Sequence, residues 1–233
     1  MDFEKTGVPG LDEILKGGFK KNASILVKGG PGTGKTILTL QFIIQGAKQG
    51  QPSIFITAEQ ELDNLRRNAK SLGMDLEKYE KKGLIYLIKQ PITLKKLITI
   101  STPLELMREK KVKRVALDSL NFLRYSIEEE IGYRKEILDL ITNMKNVLFL
   151  ATAEEKEEGI DFMTYSSEDY LFDGIIKLIK IRKGSNFERC VFIVKMRNQY
   201  HSINIFPLII AERGITIYTK EIPFSLVEKE FEK

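Results

Sequence analysis

The sequence has a single cysteine, Cys190, among its 233 residues. One thiol excludes an internal disulfide and a multi-cysteine metal site. Cys190 falls in an alternating apolar stretch, the expected setting of a buried structural thiol. Long hydrophobic runs are also missing. The longest, such as Phe206–Ala211 and Val147–Ala151, fall far short of the ~20 residues that a membrane-spanning helix needs. The opening Met1-Asp2-Phe3-Glu4-Lys5 has no apolar core of a signal peptide. These absences predict a cytoplasmic protein without membrane insertion. Internal repeats, low-complexity stretches and a dividing linker are absent too. The expectation is therefore a single domain over residues 1–233.

Charged residues make up 30% and apolar residues 42% of the chain, the profile of a soluble globular protein. The net charge of +5 is a mild bias, and position matters more than the sum. The densest basic cluster, Lys110-Lys111-Val112-Lys113-Arg114, precedes an apolar strand and reads as a solvated helix end and turn. Apolar runs at Ser24–Lys28, Ser53–Thr57, Gly83–Ile88, Arg114–Ser119 and Val147–Ala151 predict buried strands. Helical spacing recurs at Ile37–Ala47, Leu62–Leu72, Thr93–Arg108 (with a break at Pro103) and Gly132–Met144. Strands alternating with helices predict an α/β fold, its mostly parallel central sheet covered by helices on both faces. The last third changes character. Gly174–Ile181, Cys190–Met196, Ser202–Ile210 and Ile215–Tyr218 form a run of strands without helices, which predicts antiparallel additions.

Gly29-Gly30-Pro31-Gly32-Thr33-Gly34-Lys35-Thr36 organises the chain. It matches the phosphate-binding pattern G-x-x-x-x-G-K-T between a strand and a helix. Glycines let backbone N–H groups turn inward around a polyphosphate, and the first helical turn leaves N–H groups that favour an anion. Pro31, Gly32, Thr33, Gly34, Lys35, Thr36 and Ile37 are therefore the candidate nucleotide-binding residues. Lys35 is placed to reach the β- and γ-phosphates, and the Thr36 hydroxyl to ligate Mg²⁺. Asp118 ends an apolar strand, where a second Mg²⁺ contact is expected, through water. Glu59 follows the strand Ser53–Thr57 and is the candidate base for a water attacking the γ-phosphate. Glu154-Glu155 read as solvated loop charge. Lys195 and Arg197, two residues apart on a strand, project from one face. Read alone, they are a solvated strand end.

Several stretches together resemble the KaiC-like branch of the RecA superfamily: Thr6–Gly18 followed by the phosphate loop, Phe55-Ile56-Thr57-Ala58-Glu59, Asn68–Leu76, and Lys195–His201 followed by Pro207 and Gly214. The resemblance covers nearly the whole chain. It implies a RecA-type core, ATP and Mg²⁺, and a ring or filament, a hexamer by expectation, with ATP between neighbouring subunits. It also implies that Glu59 is catalytic, that Ser71 approaches the nucleotide base, and that Lys195, Arg197 and His201 contact a neighbour's ATP. The sequence departs from the family in places. KaiC itself has two such domains and an autophosphorylated C-terminal half; this chain shows one domain. KaiC pairs two glutamates where this chain has Glu59-Gln60, although RecA recombinases resemble it at Ala58-Glu59-Gln60. Asn198 and Gln199 replace a glycine and a threonine, and asparagine also tolerates a positive φ.

Two functions follow from the resemblance: an ATPase acting as a regulatory switch through a protein partner, or a RecA-like DNA-binding recombination factor. The loops after Asp118 and Ala151 discriminate between them. The first has Arg124, then Glu128-Glu129-Glu130. The second has Glu154-Glu155-Lys156-Glu157-Glu158, Asp161, Glu168 and Asp169. DNA binding needs cations that displace phosphate counterions, so this acidity disfavours DNA and favours the switch.

Overall fold

The computed structural model of the protein describes residues 2–90, 101–155, 165–183 and 185–227. In chain order its elements are β1 (Phe3–Glu4), α1 (Leu11–Ile14), β2 (Phe19–Lys20), β3 (Ser24–Gly29), α2 (Lys35–Lys48), β4 (Ser53–Thr57), α3 (Leu62–Ser71), α4 (Leu76–Glu80), β5 (Ile85–Lys89), α5 (Ser101–Glu109), β6 (Arg114–Asp118), α6 (Asn121–Ser126), α7 (Glu130–Asn143), β7 (Leu148–Glu154), a 3₁₀ turn (Ser167–Tyr170), β8 (Gly174–Lys183), β9 (Asn186–Met196), β10 (Phe206–Ala211), β11 (Gly214–Ile217) and α8 (Phe224–Val227). Pro103 sits in the first turn of α5. The first part of the helix expected from Thr93 lies outside the described residues.

Nine strands form one sheet in the order β11-β10-β9-β8-β3-β7-β6-β4-β5. The run from β8 to β5 is parallel. β9, β10 and β11 add antiparallel at one side. The α/β architecture and the change of strand direction in the last third thus follow the sequence pattern. Ser202–Ile205 precedes β10 rather than extending it.

Strand alternation divides the core in two. Ile25, Val27, Phe55, Ala116, Leu148 and Leu150 face one side, where they pack with α1–α4. Leu26, Ile54, Ile56, Val115, Leu117, Phe149 and Ala151 face the other, against α6 and α7. α2 is buried along most of its length. Its Gln41 amide both donates to and accepts from the backbone of Ile215, which ties α2 to β11. Cys190 is fully buried, and burial pushes its thiol up to about 12, so it is an unreactive core residue.

Two charge readings need correction. Arg114 is not part of a solvated turn; it is 1% exposed. Its guanidinium donates to Gln51, Gln49 and Glu4 side chains and to the carbonyls of Lys5 and Phe42. It also lies over the Phe42 ring, and α2 carries Gly46 where a Cβ would fall 2.7 Å from the Arg114 Cδ. Glu155 is not solvated either. It bridges Lys28 and Lys177 on the adjacent strands β3 and β8, and Lys28 also holds Asp169 at 2.8 Å. Both errors have one cause: the partners are distant in sequence, so local polarity gives no sign of them.

Arg114→Ala should remove the link between β6, α2 and β1. Breaking a buried charge network costs about 3 kcal/mol or more. Urea denaturation should show this loss as a lower midpoint at an unchanged m-value. A midpoint shifted by only a few tenths of a molar would show that the network contributes little.

Candidate functional site

The phosphate loop leaves the C-terminal end of β3 between β7 and β8, where a ligand in a parallel sheet binds. Its shape depends on close backbone approach. At Gly29 a Cβ would lie 2.4 Å from the Leu178 carbonyl oxygen and 2.8 Å from the Thr33 hydroxyl. Gly34, the residue before α2, has φ 109, a conformation that other residues rarely adopt. The Thr33 hydroxyl donates to the Gly30 carbonyl inside the loop. The Lys35 ammonium donates to the Gly29 and Gly30 carbonyls at 2.8 and 3.0 Å. Burial lowers the Lys35 pKa, and Glu154, Asp118 and Glu59 oppose that shift. Ile37, in the first turn of α2, is half-buried against the core.

Asp118 ends β6 beside this loop. One carboxylate oxygen accepts from the Thr36 hydroxyl at 2.7 Å, and the other from Thr152 of β7. Burial holds the carboxyl above the usual carboxylate range, with the two hydroxyl hydrogen bonds acting in the opposite sense. The Asp118–Ser119 peptide is cis. The Ser119 hydroxyl donates to Glu59 at 2.9 Å, so the acid after β4 is joined to the end of β6. Glu154 at the end of β7 is exposed and hydrogen-bonds Asn121 through its backbone N–H and its side chain. Among the described residues no group of three or more His, Cys, Asp and Glu side chains forms a metal cage. Magnesium bound with a nucleotide needs none; it takes one or two protein oxygens together with phosphates and water. The paired Thr36 and Asp118 oxygens fit that hard-oxygen donor set.

The structure therefore brings together Lys35, Thr36, Asp118 and, through Ser119, Glu59. Ser71, Lys195, Arg197 and His201 make their hydrogen bonds elsewhere. Ser71 is exposed at the end of α3, its hydroxyl bonded to the Asn68 carbonyl. The neighbouring Leu72 carbonyl accepts from Arg213 in the β10–β11 turn. Lys195 pairs with Ile175, three residues upstream of Leu178, the partner of Gly29. This is about 10 Å along the strands. The Lys195 and Arg197 side chains donate to the Asp169 and Tyr170 carbonyls of the 3₁₀ turn, away from the chain's own phosphate loop. His201 contacts the Ser202 carbonyl. Asn198 has φ 56, the left-handed conformation its side chain allows. Gln199 donates to the Leu15 and Gly18 carbonyls.

Sequence reasoning passed over Ser119, Thr152, Lys180 and Arg189. Thr152 follows from the register: β6 and β7 pair with Leu117 opposite Ala151, so the next residues, Asp118 and Thr152, stand side by side. Lys180 and Arg189 donate to the carbonyls of Pro31 and Gly32 in the phosphate loop. Nothing in their local sequence separates them from ordinary strand cations.

A carboxyl whose folded-state pKa is raised contributes its full stability below the unfolded pKa. It loses that contribution as pH rises through the folded value. Ionised Asp118 thus costs stability at neutral pH. Asp118→Asn should raise the melting temperature of the nucleotide-free protein at neutral pH, and the gain should shrink as pH falls toward about 4. Calorimetry over a pH series checks this, and a gain that does not vary with pH would rule out ionisation as its cause.

A family model for the KaiC ATPase matches residues 4–222. A UPF0273 protein of Pyrococcus horikoshii is 30% identical over 94% of this chain and 94% of its own length. The circadian clock oscillator protein KaiC of Parasynechococcus marenigrum is 31% identical over 91% of this chain but only 44% of its own length, so the chain spans less than half of that relative. A solved KaiC-like protein from Pyrococcus horikoshii OT3 superposes with a TM-score of 0.83 at 33% identity, covering 93% of this chain and 99% of that one. With the phosphate loop and its acids at the strand ends, and with matches that run almost the whole length, the chain belongs to the KaiC family of ATPases.

Proposed function

We infer that the protein binds ATP with Mg²⁺ and hydrolyses it at the subunit interfaces of a ring-like homo-oligomer, a hexamer by analogy with the family. In this reading residues 1–233 form one ATPase unit that acts in the cytoplasm as a regulatory or signalling switch through a protein partner. The observation that carries the reading is the convergence of Lys35, the Thr36–Asp118 pair and Glu59 at one end of the parallel sheet. The loop amides and Lys35 would hold the phosphates, and Thr36 and Asp118 would hold the metal, whose role is to neutralise charge on the phosphoryl group. Glu59 would orient and deprotonate the attacking water.

Lys195, Arg197 and His201 serve a neighbour in this reading. The place of Lys195, about 10 Å along the strands from the chain's own phosphate loop, agrees with it. The DNA-binding alternative is not favoured, although part of the acidity that argued against it has another use. Glu155 and Asp169 are tied to Lys28, and Glu168 is buried. Exposed Glu154, Glu128, Glu129 and Glu130 remain. Lys156, Glu157, Glu158 and Asp161 lie outside the described residues.

Lys35→Ala should sharply weaken binding of a fluorescent ATP analogue with Mg²⁺ while leaving the circular dichroism spectrum unchanged. An unaltered affinity in the folded variant would sink the ATP reading.

Catalysis across an interface predicts complementation. Glu59→Gln should bind ATP normally and lose about 10²–10⁴ in rate, the usual contribution of a general base. Arg197→Ala should also bind ATP and hydrolyse it slowly. Mixed oligomers of the two should recover part of the activity, because some interfaces join an intact Glu59 to an intact Arg197. Absence of recovery in verified mixed assemblies would count against action on a neighbour.

A further inference from the structure

β8 and β9 present two cations to the phosphate loop from the same chain. Lys180 and Arg189 stand directly opposite each other in the antiparallel register. Like charges in that arrangement repel and destabilise a strand pair. The cost is met at the loop. The Lys180 ammonium donates to the Pro31 carbonyl at 2.6 Å, and the Arg189 Nε donates to the Gly32 carbonyl at 3.0 Å. These are consecutive carbonyls at the exposed tip of the loop.

Peptide geometry gives the contact a consequence. In a trans peptide the C=O and the following N–H point in opposite directions. A cation that holds the Pro31 carbonyl outward turns the Gly32 N–H inward, and one that holds the Gly32 carbonyl outward does the same for the Thr33 N–H. Inward amides are what a phosphate loop uses to grip its ligand. Gly32 sits at φ 70, a conformation that glycine adopts without steric cost and whose peptides therefore need an outside hold. The Lys180 charge is also felt at Lys35, where it adds to the lowering of that ammonium's pKa, so it lies within electrostatic reach of the phosphate-facing lysine.

We propose that Lys180 and Arg189 are positioning residues for phosphate recognition: together they clamp the outer carbonyls of the loop so that the Gly32 and Thr33 amides face the α- and β-phosphates of the nucleotide. The inference rests on the ATP reading for its ligand and on the two hydrogen bonds for its geometry. It differs from a role in which Lys180 touches the γ-phosphate. A clamp acts on amides that grip phosphates common to ADP and ATP. A γ-phosphate contact acts on ATP alone.

Calorimetric titration of the full chain with ADP and with ATP, each with Mg²⁺, separates the cases. Lys180→Met and Arg189→Met should each weaken both nucleotides by a similar factor, about tenfold, as expected for loss of a charge-assisted hydrogen bond. Lys180→Arg and Arg189→Lys, which keep a long cationic donor, should restore most of the affinity. A loss confined to ATP, or no loss in folded Met variants, would overturn the clamp. A parent protein that binds neither nucleotide would refute the ATP reading itself. The clamp would then be decided on the nucleotide-free protein by hydrogen exchange at Gly32 and Thr33. Faster exchange in the Met variants supports it, and unchanged exchange removes it.

Discussion

The site depends on one buried carboxylate. Asp118 accepts hydroxyl hydrogen bonds from Thr36 at the start of α2 and from Thr152 at the end of β7. Those two bonds join three elements that the chain delivers separately: the strand that ends in the acid, the helix that carries the phosphate loop, and the strand that runs beside both. An isolated ionised carboxylate would be expensive to bury. Asp118 remains tolerable because each oxygen has a donor, and its carboxyl stays above the usual range because burial outweighs the two hydroxyl hydrogen bonds. A fold selected for stability alone would put an apolar residue here. The acid at this point is a cost that the rest of the sheet carries, which is the pattern expected where binding matters more than packing.

Much of this arrangement was legible in the sequence because it is local. The phosphate loop is eight consecutive residues, and its flanks announce a strand and a helix. The acids Glu59 and Asp118 stand at the ends of apolar runs, and in a parallel sheet all strand ends of one kind share an edge. Ser119 and Thr152 are different. Each supports an acid on another element, and only register reveals it. Arg114 and Glu155 were misread for the same reason. Arg114 follows a run of lysines and looks like surface, yet its partners include Glu4, Phe42, Gln49 and Gln51. Charge in a local window says how polar a segment is and says nothing about which distant carbonyl or carboxylate will desolvate it.

The segment from Lys195 to Gln199 shows how a family pattern can be kept while its residues change. Asn198 stands where the resembled segment has a glycine, and its backbone takes a positive φ of 56. The threonine is replaced by Gln199, whose amide holds two carbonyls of the N-terminal segment. The turn is therefore anchored to the turn after α1 as well as to β9. The same strand carries Arg189 near its other end, against the chain's own phosphate loop. β9 thus has cations at both ends with different surroundings: Arg189 on the loop, and Lys195 and Arg197 on carbonyls of the 3₁₀ turn. The strand between them pairs with β8, with a register shift near Val194, and with β10 from Arg189 to Val191, so the sheet holds the two ends apart.

The charge of the site also speaks to its ligand. Lys35, Lys180 and Arg189 gather around the loop, which suits a polyanion. Asp118, Glu59 and Glu154 lie close enough to Lys35 to raise its pKa against the effect of burial. A bare polyphosphate would meet repulsion from those three acids. A bare divalent cation would meet repulsion from the three cations. A phosphate chain arriving with its own metal would satisfy both sets together, with cations on the loop side and oxygens on the Thr36–Asp118 side. The mixed charge of the site therefore suits a metal–nucleotide complex better than either component alone, and most of it comes from outside the loop motif: Glu59 after β4, Asp118 of β6, Glu154 of β7, Lys180 of β8 and Arg189 of β9.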